Sequence, residues 1–238
     1  MKSNYRFPSL VKNIFKDIDE KGGKVFLVGG IVRDMLVYGN VDYHDVDIEV
    51  YGLTVQQLEN ILSEYGHVIC IGKSFGILKL DNLPNYDFAL PRTEIKVGKN
   101  HQDFKIKVDK DLDFKIAASR RDLTINALMY EIKTDKIHDY FHGIEDLNKR
   151  TLRMVNEKTF PEDPLRVLRL AQFESRLDFC IEPKTKKICR EMVSKGLLNN
   201  LSNERVFNEY NKILLSNHPS VGLTFLKLPL MHSSHFLL

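Results

Sequence analysis

The sequence predicts an α+β fold, in which a mixed sheet with flanking helices is followed by an all-helical segment. Short β-rich runs alternate with amphipathic helical patterns up to about residue 149, and strand patterns disappear after it. The 238 residues, 43% of them hydrophobic, are enough for one large domain or two small ones. We therefore predict a first domain over residues 1–149 and a helical second domain over residues 150–238.

Local periodicity predicts the elements of the first domain. Apolar side chains at helical spacing indicate helices over residues 10–21 and 53–65, the second with Thr54 as its N-cap. Residues 91–118 are polar and indicate a long loop, and residues 120–129 indicate an apolar helix. Closely spaced β-rich runs favour antiparallel or mixed pairing; they cover residues 25–28, 46–50, 68–71, 77–80, 86–90 and 136–139.

The second domain shows only helical patterns. They cover residues 161–176, 184–193, 203–215 and 221–228. The final residues, PLMHSSHFLL from 229 to 238, fit neither a capped helix nor an ordinary surface, and we have no physical account of them.

The most informative stretch runs from Val25 to Val50 and is typical of strand, glycine turn, helix, loop and strand. Gly29 and Gly30 allow the backbone to approach a ligand closely. The helix that follows directs unpaired N–H groups and its positive dipole end toward that ligand. The turn is therefore a candidate phosphate-binding site.

Asp45 and Asp47 lie two residues apart at the second strand of this stretch, so their side chains project from one face. Adjacent carboxylates repel each other unless a cation lies between them, and their hard oxygens suit Mg²⁺. A glycine turn or an Asp-x-Asp pair alone is more commonly structural. Together they provide the minimum for phosphoryl or nucleotidyl transfer. Asp87, in another strand pattern, is either a third metal-orienting carboxylate or a plain strand residue.

Arg120, Arg121 and Asp122 stand together at the start of the predicted apolar helix. Two guanidiniums at one position suit a triphosphate or a nucleic-acid backbone. Arginines oppose the dipole at a helix N-terminus, which favours a functional interpretation. The structural alternative is that Asp122 caps the helix.

Asp163, Arg166 and Arg169 step by three along a predicted helix. A carboxylate accepts a hydrogen bond from an exocyclic amine, and a guanidinium donates one to a ring acceptor. Cytosine and adenine offer that pair of groups, whereas guanine and uracil do not. The pattern could therefore select C and A without a template, although an exposed Asp–Arg pair of little energetic value is the alternative.

Taken together, these segments resemble the class II tRNA nucleotidyltransferase and bacterial poly(A) polymerase family. They occur in the family's order between residues 25 and 176, and they are LVGGIVRDML, the DVD pair, RRDLTINAL, the turn from Asp139 to Gly143 with Asp146-Leu147, and EDPLRVLRLAQF. The resemblance implies a polymerase-β-like nucleotidyltransferase head with a mixed sheet, then a helical neck with an incomplete C-terminal body.

The resemblance also implies roles for residues of this chain. It implies that Asp45 and Asp47 bind Mg²⁺, and that Gly30 and Arg33, beside Gly29, contact the incoming nucleotide. It further implies that Arg121 and Asp122 read the ribose, and that Asp163 and Arg166 read the base with Arg169 nearby. Gln172 departs from many relatives, which carry a further arginine there.

The segments IGKSFGILKL and ALPRTE…GKNHQDF resemble the CCA-adding branch of the family. The implied activity is template-independent, two-metal addition of C, A or both from CTP and ATP to the 3′ end of tRNA, with Mg²⁺ as cofactor. Two alternatives stay open: a poly(A) polymerase, or a truncated relative that binds nucleotide or RNA with little activity. The family usually extends well beyond residue 238.

Composition sets weaker limits. The formal charge of +3 permits a nucleic-acid partner without arguing for one. Three cysteines without metal-ligand spacing, Cys70, Cys180 and Cys189, fit a reducing cytosol, so a cytoplasmic location is expected. No apolar run approaches membrane-spanning length and the N-terminus is unlike a signal peptide, so no membrane partner is expected. The sequence does not indicate an oligomeric state.

Overall fold

The computed structural model describes residues 7–39, 45–71, 76–96 and 104–230. Residues 72–75 of the IGKSFG segment and residues 231–238 of the C-terminal stretch lie outside the described residues. By backbone contacts the chain forms two compact units. The first contains residues up to Ile95, Lys105–Arg120 and Asn126–Gly143, and the second contains Arg121–Ile125 and the residues from Ile144 onward. A domain division between residues 149 and 150 stays a prediction.

The first unit is built on a mixed sheet, as predicted. The strands of this unit are, in chain order, β1 (Lys24–Val28), β2 (Val46–Tyr51), β3 (Val68–Ile71), β4 (Ile77–Leu80), β5 (Leu83–Ala89), β6 (Arg92–Lys96), β7 (Phe104–Val108), β8 (Met129–Glu131) and β9 (Lys136–His138). Two of them, β6 and β7, form a separate two-stranded sheet. The large sheet has seven strands in the order β3-β4-β5-β2-β1-β8-β9. Its β2–β5 pair is parallel, and its other pairs are antiparallel.

The helices of this unit are α1 (Ser9–Glu20), α2 (Gly30–Tyr38), α3 (Val55–Ser63) and α4 (Phe114–Ser119). The predicted cap of α3 is confirmed, because the Thr54 hydroxyl accepts from the Gln57 N–H while the Gln57 side chain accepts from the Thr54 N–H. Apolar side chains at the predicted helical spacing are buried in α1 and α3. These helices therefore follow from local sequence, and their apolar faces supply part of the core.

Two of the sequence-based predictions are wrong. Residues 91–118 are not one long loop, because they contain β6, β7 and α4. Residues 120–129 are not a helix: Arg120 ends α4, and a 3-10 turn at Thr124–Asn126 leads into β8. The Thr124 N–H donates to the Arg153 carbonyl instead of closing a helical turn. A partner 29 residues away in the chain is invisible to local periodicity.

The second unit is mainly helical. Its elements are α5 (Gly143–Asn148), α6 (Leu165–Leu177), α7 (Pro183–Ser194), α8 (Asn203–Leu214), α9 (Pro219–Leu230), 3-10 turns at Phe160–Glu162 and Leu197–Asn200, and a parallel pair of two-residue strands, β10 (Thr151–Leu152) and β11 (Cys180–Ile181). The helices α6 to α9 confirm the four helical patterns. Gly222 of α9 lies so close to α6 that an added Cβ would be 2.1 Å from the Ser175 hydroxyl. In the described ranges, no helix has the length and apolar character needed to cross a membrane.

Candidate active site

The predicted site residues form two sets, one within each unit. The first unit contains two glycines, an arginine and three carboxylates, namely Gly29, Gly30, Arg33, Asp45, Asp47 and Asp87. The second unit contains Arg121, Asp122, Asp163, Arg166 and Arg169. The functional role of every residue in both sets stays a prediction.

The glycine turn joins β1 to α2. Gly29 has φ 77° and ψ −136°, a conformation that residues with a Cβ rarely adopt. It is the N-cap of α2, and no side chain in the described part of the chain caps the helix there. Among the residues that the structure describes, no side chain therefore uses the first N–H groups of α2. Donors at the positive end of a helix suit a phosphate group.

Arg33 lies in α2 with only 2% of its surface exposed. Its Nε and Nη2 donate to the two carboxylate oxygens of Asp34 at 2.7 and 2.8 Å. Its Nη1 donates to Asn126 Oδ1 at 2.7 Å. A Cβ placed on Gly30 would lie 3.3 Å from the guanidinium, so Arg33 is fixed directly beside the glycine turn.

Asp45 and Asp47 are exposed and flank Val46, the buried first residue of β2. Alternation along the chain places both carboxylates on one face. The antiparallel register of β1 and β2 pairs Leu27 with Ile48. The end of β1, immediately before Gly29, therefore lies beside Asp47, and the glycine turn and the carboxylate pair meet at the same end of these two strands.

Asp87 continues this row of side chains on the next strand. It lies opposite Asp47 in the parallel pair of β2 and β5. Lys79 of β4 lies opposite Asp87 on its other side. The Lys79 Nζ is 2.7 Å from Asp87 Oδ1, and both side chains are about a quarter exposed (29% and 26%). Three adjacent strands thus present a carboxylate, a second carboxylate and an ammonium in one row.

Glu49 lies further along β2 on the same face, but it is 2% exposed. Arg120 Nη2 donates to Glu49 Oε1 at 2.8 Å, and the Tyr51 hydroxyl donates to Oε2 at 3.1 Å. Within the first unit, Arg120 therefore neutralises a buried carboxylate. Arg120, one of the two adjacent arginines that the sequence suggested for phosphate binding, therefore has a structural role.

The exposed carboxylates of Asp45 and Asp47 fit a magnesium ion. Within the described ranges, no group of three or more His, Cys, Asp or Glu residues could hold a metal. Mg²⁺ commonly takes one or two carboxylates and completes its shell with water and substrate phosphates. Two exposed carboxylates beside a phosphate-binding turn therefore form a chemically suitable donor set.

In the second unit, Asp122 and Arg169 form an ion pair. Asp122 is 8% exposed, and its Oδ2 accepts from Arg169 Nε at 2.7 Å. Its Oδ1 accepts from the Leu123 N–H at 2.8 Å. The charge of Asp122, joined by those of Glu209 and Asp163, raises the pKa of Arg169. The arginine of α6 is thus fixed as a cation against this aspartate.

Asp163 stands just before α6 and is held at both of its oxygens. Its Oδ1 accepts from the Leu165 N–H at 3.1 Å, so it satisfies one of the first donors of the helix. Its Oδ2 accepts from Arg205 Nη2, a residue of α8, at 3.3 Å. The carboxylate therefore has a defined orientation.

Arg166 is the other predicted base-reading residue. Its Nη1 donates to the Thr159 carbonyl at 3.0 Å, and its guanidinium lies 5.8 Å from the centre of the Phe160 ring. The apolar face predicted for this helix is confirmed, because Val167, Leu170 and Ala171 are fully buried. Arg166 itself is only partly buried, as a residue available to a ligand must be.

Sequence reasoning did not identify the side chains that orient the predicted site residues. Asn126 is 93 residues from Arg33, and Arg205 is 42 residues from Asp163. Lys79 is a charged residue in the otherwise apolar strand ILKL, and this local feature could have identified it as a candidate site residue. Arg205 lies on a helix with other charged residues, and nothing local distinguishes it from them.

Comparison with known proteins adds two matches to protein families. Residues 25–153 match the family described as "Poly A polymerase head domain". Residues 178–227 match the family described as "Probable RNA and SrmB- binding site of polymerase A". The first match alone covers more than half of the chain and contains the glycine turn and all three carboxylates.

Curated relatives and solved structures agree with these matches. A multifunctional CCA protein of Aliivibrio salmonicida is 39% identical over 207 residues, which are 86% of this chain and 48% of the relative. The Thermotoga maritima CCA-adding enzyme complexed with tRNA has 27% identity and a TM-score of 0.74, covering 94% of this chain and 52% of that one. A tRNA nucleotidyltransferase complexed with a primer tRNA and an incoming ATP analog has 28% identity and a TM-score of 0.73, covering 92% and 60%. The chain spans about half the length of the curated relatives it matches.

Proposed function

The chain belongs to the class II CCA-adding enzyme and poly(A) polymerase family, and from that premise we propose that it is a template-independent RNA nucleotidyltransferase. It adds C, A or both from CTP and ATP to the 3′ end of tRNA. The names of the curated relatives, CCA-adding enzyme and multifunctional CCA protein, support this substrate over a growing poly(A) tail. A tRNA substrate and three free cysteines suit a cytoplasmic protein.

One observation carries the proposal. Asp45 and Asp47 are exposed on one face beside the end of β1, where Gly29 opens the N-terminus of α2. The helix N-terminus favours a phosphate group, and the carboxylates favour the cation that accompanies it. A nucleoside triphosphate with its metal ion combines these two requirements in one ligand.

In the proposed reaction, the 3′-hydroxyl oxygen of the RNA attacks the α-phosphorus of CTP or ATP. A new phosphodiester bond forms, the bond between the α-phosphorus and the bridging oxygen breaks, and pyrophosphate leaves. Magnesium bound at Asp45 and Asp47 would supply Lewis-acid chemistry, lowering the pKa of the attacking hydroxyl and offsetting charge on the leaving oxygens. The N–H donors of α2 hold the triphosphate, and Arg33 supports the turn that presents them.

In this proposal the second unit selects the nucleotide. Asp163 accepts from the exocyclic amine of cytosine or adenine, and Arg166 donates to the adjacent ring nitrogen. Arg121 and Asp122 contact the ribose in this proposal, and the ion pair with Arg169 fixes the orientation of Asp122. Uracil and guanine would present a carbonyl where Asp163 needs a donor, which leaves a carboxylate without its hydrogen bond.

The test is an extension assay that resolves single added nucleotides. A tRNA transcript lacking its 3′ CCA, one ending in C and one ending in CC are each incubated with Mg²⁺ and CTP, ATP, UTP or GTP. We expect addition of C, A or both, with UTP and GTP excluded. Long A tracts would indicate poly(A) polymerase activity. Nucleotide binding without extension would indicate a relative that binds its substrates but does not join them.

A further inference from the structure

A cavity of about 310 Å³ lies among three helices of the second unit. Its volume is at the lower end of the size range of small-molecule sites. It is lined by Glu174 of α6, Lys186 of α7, and Ser220, Val221, Thr224 and Phe225 of α9. Ser220, Val221 and Thr224 are exposed, so the cavity opens to solvent along α9. It therefore offers a ligand a carboxyl group, an ammonium group, two hydroxyls and an apolar wall.

The Glu174 carboxyl is the unusual group in this cavity. No described residue forms a hydrogen bond or an ion pair with this side chain, and its Oε2 is buried. Burial raises the pKa of the carboxyl to about 7, and the charge of Lys186 opposes that shift. Burying a polar group without a hydrogen bond is unfavourable. In either protonation state the carboxyl keeps oxygen lone pairs that can accept a hydrogen bond from a ligand.

Lys186 determines what kind of donor fits. Its ammonium group is only half-buried and forms no ion pair with a described residue. A simple cation bound at Glu174 would be repelled by this second positive charge. A suitable ligand instead presents a neutral hydrogen-bond donor to Glu174, an anionic group to Lys186 and a flat apolar surface to the α9 side chains. A nucleotide whose base carries an exocyclic amine combines these three features.

We propose that the cavity holds one unpaired nucleotide of the tRNA substrate. The exocyclic amine of its base donates to Glu174, its phosphate lies at Lys186, and the base packs against Val221 and Phe225. Proteins commonly recognise RNA through unstacked bases held in this way. A uracil base has no exocyclic amine and presents carbonyl oxygens on both sides of its ring N–H, so it fits the carboxyl poorly.

This inference rests on the proposed function, in which tRNA is the substrate, and it adds a contact with RNA outside the predicted site residues. The experiment measures fluorescence anisotropy of two labelled single-stranded RNAs of equal length, one of cytidine and one of uridine, as the full chain is added. The titrations are made in EDTA, which prevents nucleotide addition, and at several salt concentrations.

Glu174→Met removes the acceptor and keeps a side chain of similar length. We expect the preference for the cytidine RNA over the uridine RNA to fall about fivefold, because one hydrogen bond to the base is lost. The salt dependence of binding should stay unchanged. The variant should fold, since it replaces a carboxyl that no described residue pairs with, and circular dichroism spectra check this.

Lys186→Met should have the complementary effect. We expect it to keep the preference for cytidine and to reduce the slope of log Kd against log salt concentration by about 0.7, the value for one phosphate contact with a single strand. Lys187→Met and Glu191→Met are the matched controls, because both residues are exposed on α7 and do not line the cavity. Both controls should keep the wild-type preference and slope.

The inference is overturned if Glu174→Met leaves the ratio of the two RNA affinities unchanged. It is also overturned if Lys187→Met reduces the salt dependence as much as Lys186→Met does, because the basic surface is then diffuse. A wild-type chain that extends tRNA while Glu174→Met keeps the wild-type ratio refutes only the role of the cavity. A wild-type chain that never extends tRNA, but loses its preference for cytidine through Glu174→Met, refutes only the proposed activity.

Discussion

The two units treat their charged side chains differently. In the first unit, Asp45 and Asp47 are exposed at the end of a strand, beside a helix N-terminus that no side chain of the described residues caps. In the second, Asp122 and Asp163 are engaged by Arg169 and Arg205. The first arrangement suits a site completed by a cation and a phosphate from solution. The second suits a rigid template whose hydrogen-bonding groups are oriented before any ligand arrives.

This difference determines what a substitution should do. Loss of an exposed ligand-binding carboxylate removes chemistry and changes stability little, because substitutions of exposed side chains usually have small effects on the free energy of unfolding. Loss of a member of an engaged network disturbs its partners as well, so binding, selectivity and stability change together. Substitutions in the two units therefore test whether the contrast is functional.

The largest effect is expected in the first unit. Asp47→Asn keeps the shape of the side chain and removes the charge that a magnesium ion requires. We expect the rate of nucleotide addition to fall on the order of a thousandfold, because transition-state charge loses its stabilisation. The thermal unfolding midpoint should change little, since Asp47 is exposed. Single-turnover extension rates and differential scanning calorimetry measure the two quantities.

Asp81→Asn is the matched control, because Asp81 is an exposed aspartate of the same unit in the turn between β4 and β5. Near-normal extension by Asp47→Asn would contradict the assignment of the carboxylate pair. Equal losses in both variants would show that the site responds to net charge and not to a particular ligand.

The second effect is on base selection. Asp163→Ala removes the acceptor that is proposed to read the exocyclic amine. We expect discrimination against UTP and GTP to fall about tenfold to a hundredfold, because a site built on hydrogen bonds rejects partners that leave its groups unpaired. Competition assays with pairs of nucleotides measure the ratio directly. A slower reaction with unchanged ratios would place base reading elsewhere.

The same contrast explains how much the sequence could reveal. The segment from β1 to β2 could be predicted because its glycine turn and alternating aspartates are local features of the sequence. Residues 120–129 were mistaken for a helix because their apolar pattern is local, whereas the pairing of Thr124 with Arg153 is not. The ion pair between Arg169 and Asp122 joins residues 47 positions apart. Such pairings are determined by tertiary packing, and local periodicity and residue spacing do not predict them.

A third prediction uses a carboxyl group of the second unit that differs from its engaged neighbours. Burial raises the pKa of Glu174 to about 7, with Lys186 acting in the opposite direction. Its Oε2 is buried without a hydrogen-bond partner in the described ranges. The folded protein therefore favours the neutral acid, whereas the unfolded chain loses this proton near the ordinary value of 4.5.

The direction of the pH dependence of stability follows from this difference in pKa between the folded and unfolded chain. The stability associated with neutral Glu174 is fully present below pH 4.5 and is lost as the pH rises to about 7 and above. Glu174→Gln imitates the neutral acid, so it should raise the free energy of unfolding at about pH 8 by about 2 to 3 kcal/mol and change it little at about pH 4. Urea unfolding at both pH values measures the difference. A variant equally stable or less stable at about pH 8 would show that the folded chain does not penalise the charged carboxylate, and therefore that burial does not raise the pKa of Glu174.

The smallest effect is expected where a side chain acts only through another. Arg205 contacts Asp163 Oδ2 at 3.3 Å, a long hydrogen bond, while the Leu165 N–H holds the other oxygen. Arg205→Met should therefore loosen Asp163 without removing it, and we expect discrimination against UTP and GTP to fall only about fivefold, the equivalent of one hydrogen bond of about 1 kcal/mol.

Arg190→Met, on the exposed side of α7, is the control for loss of one positive charge from the same unit. If the variants Arg205→Met and Asp163→Ala relax selectivity equally, the orientation imposed by the engaged network matters as much as the carboxylate itself. If Arg205→Met changes only the affinity for tRNA, the arginine serves the RNA backbone and Asp163 is oriented by the first turn of α6 alone.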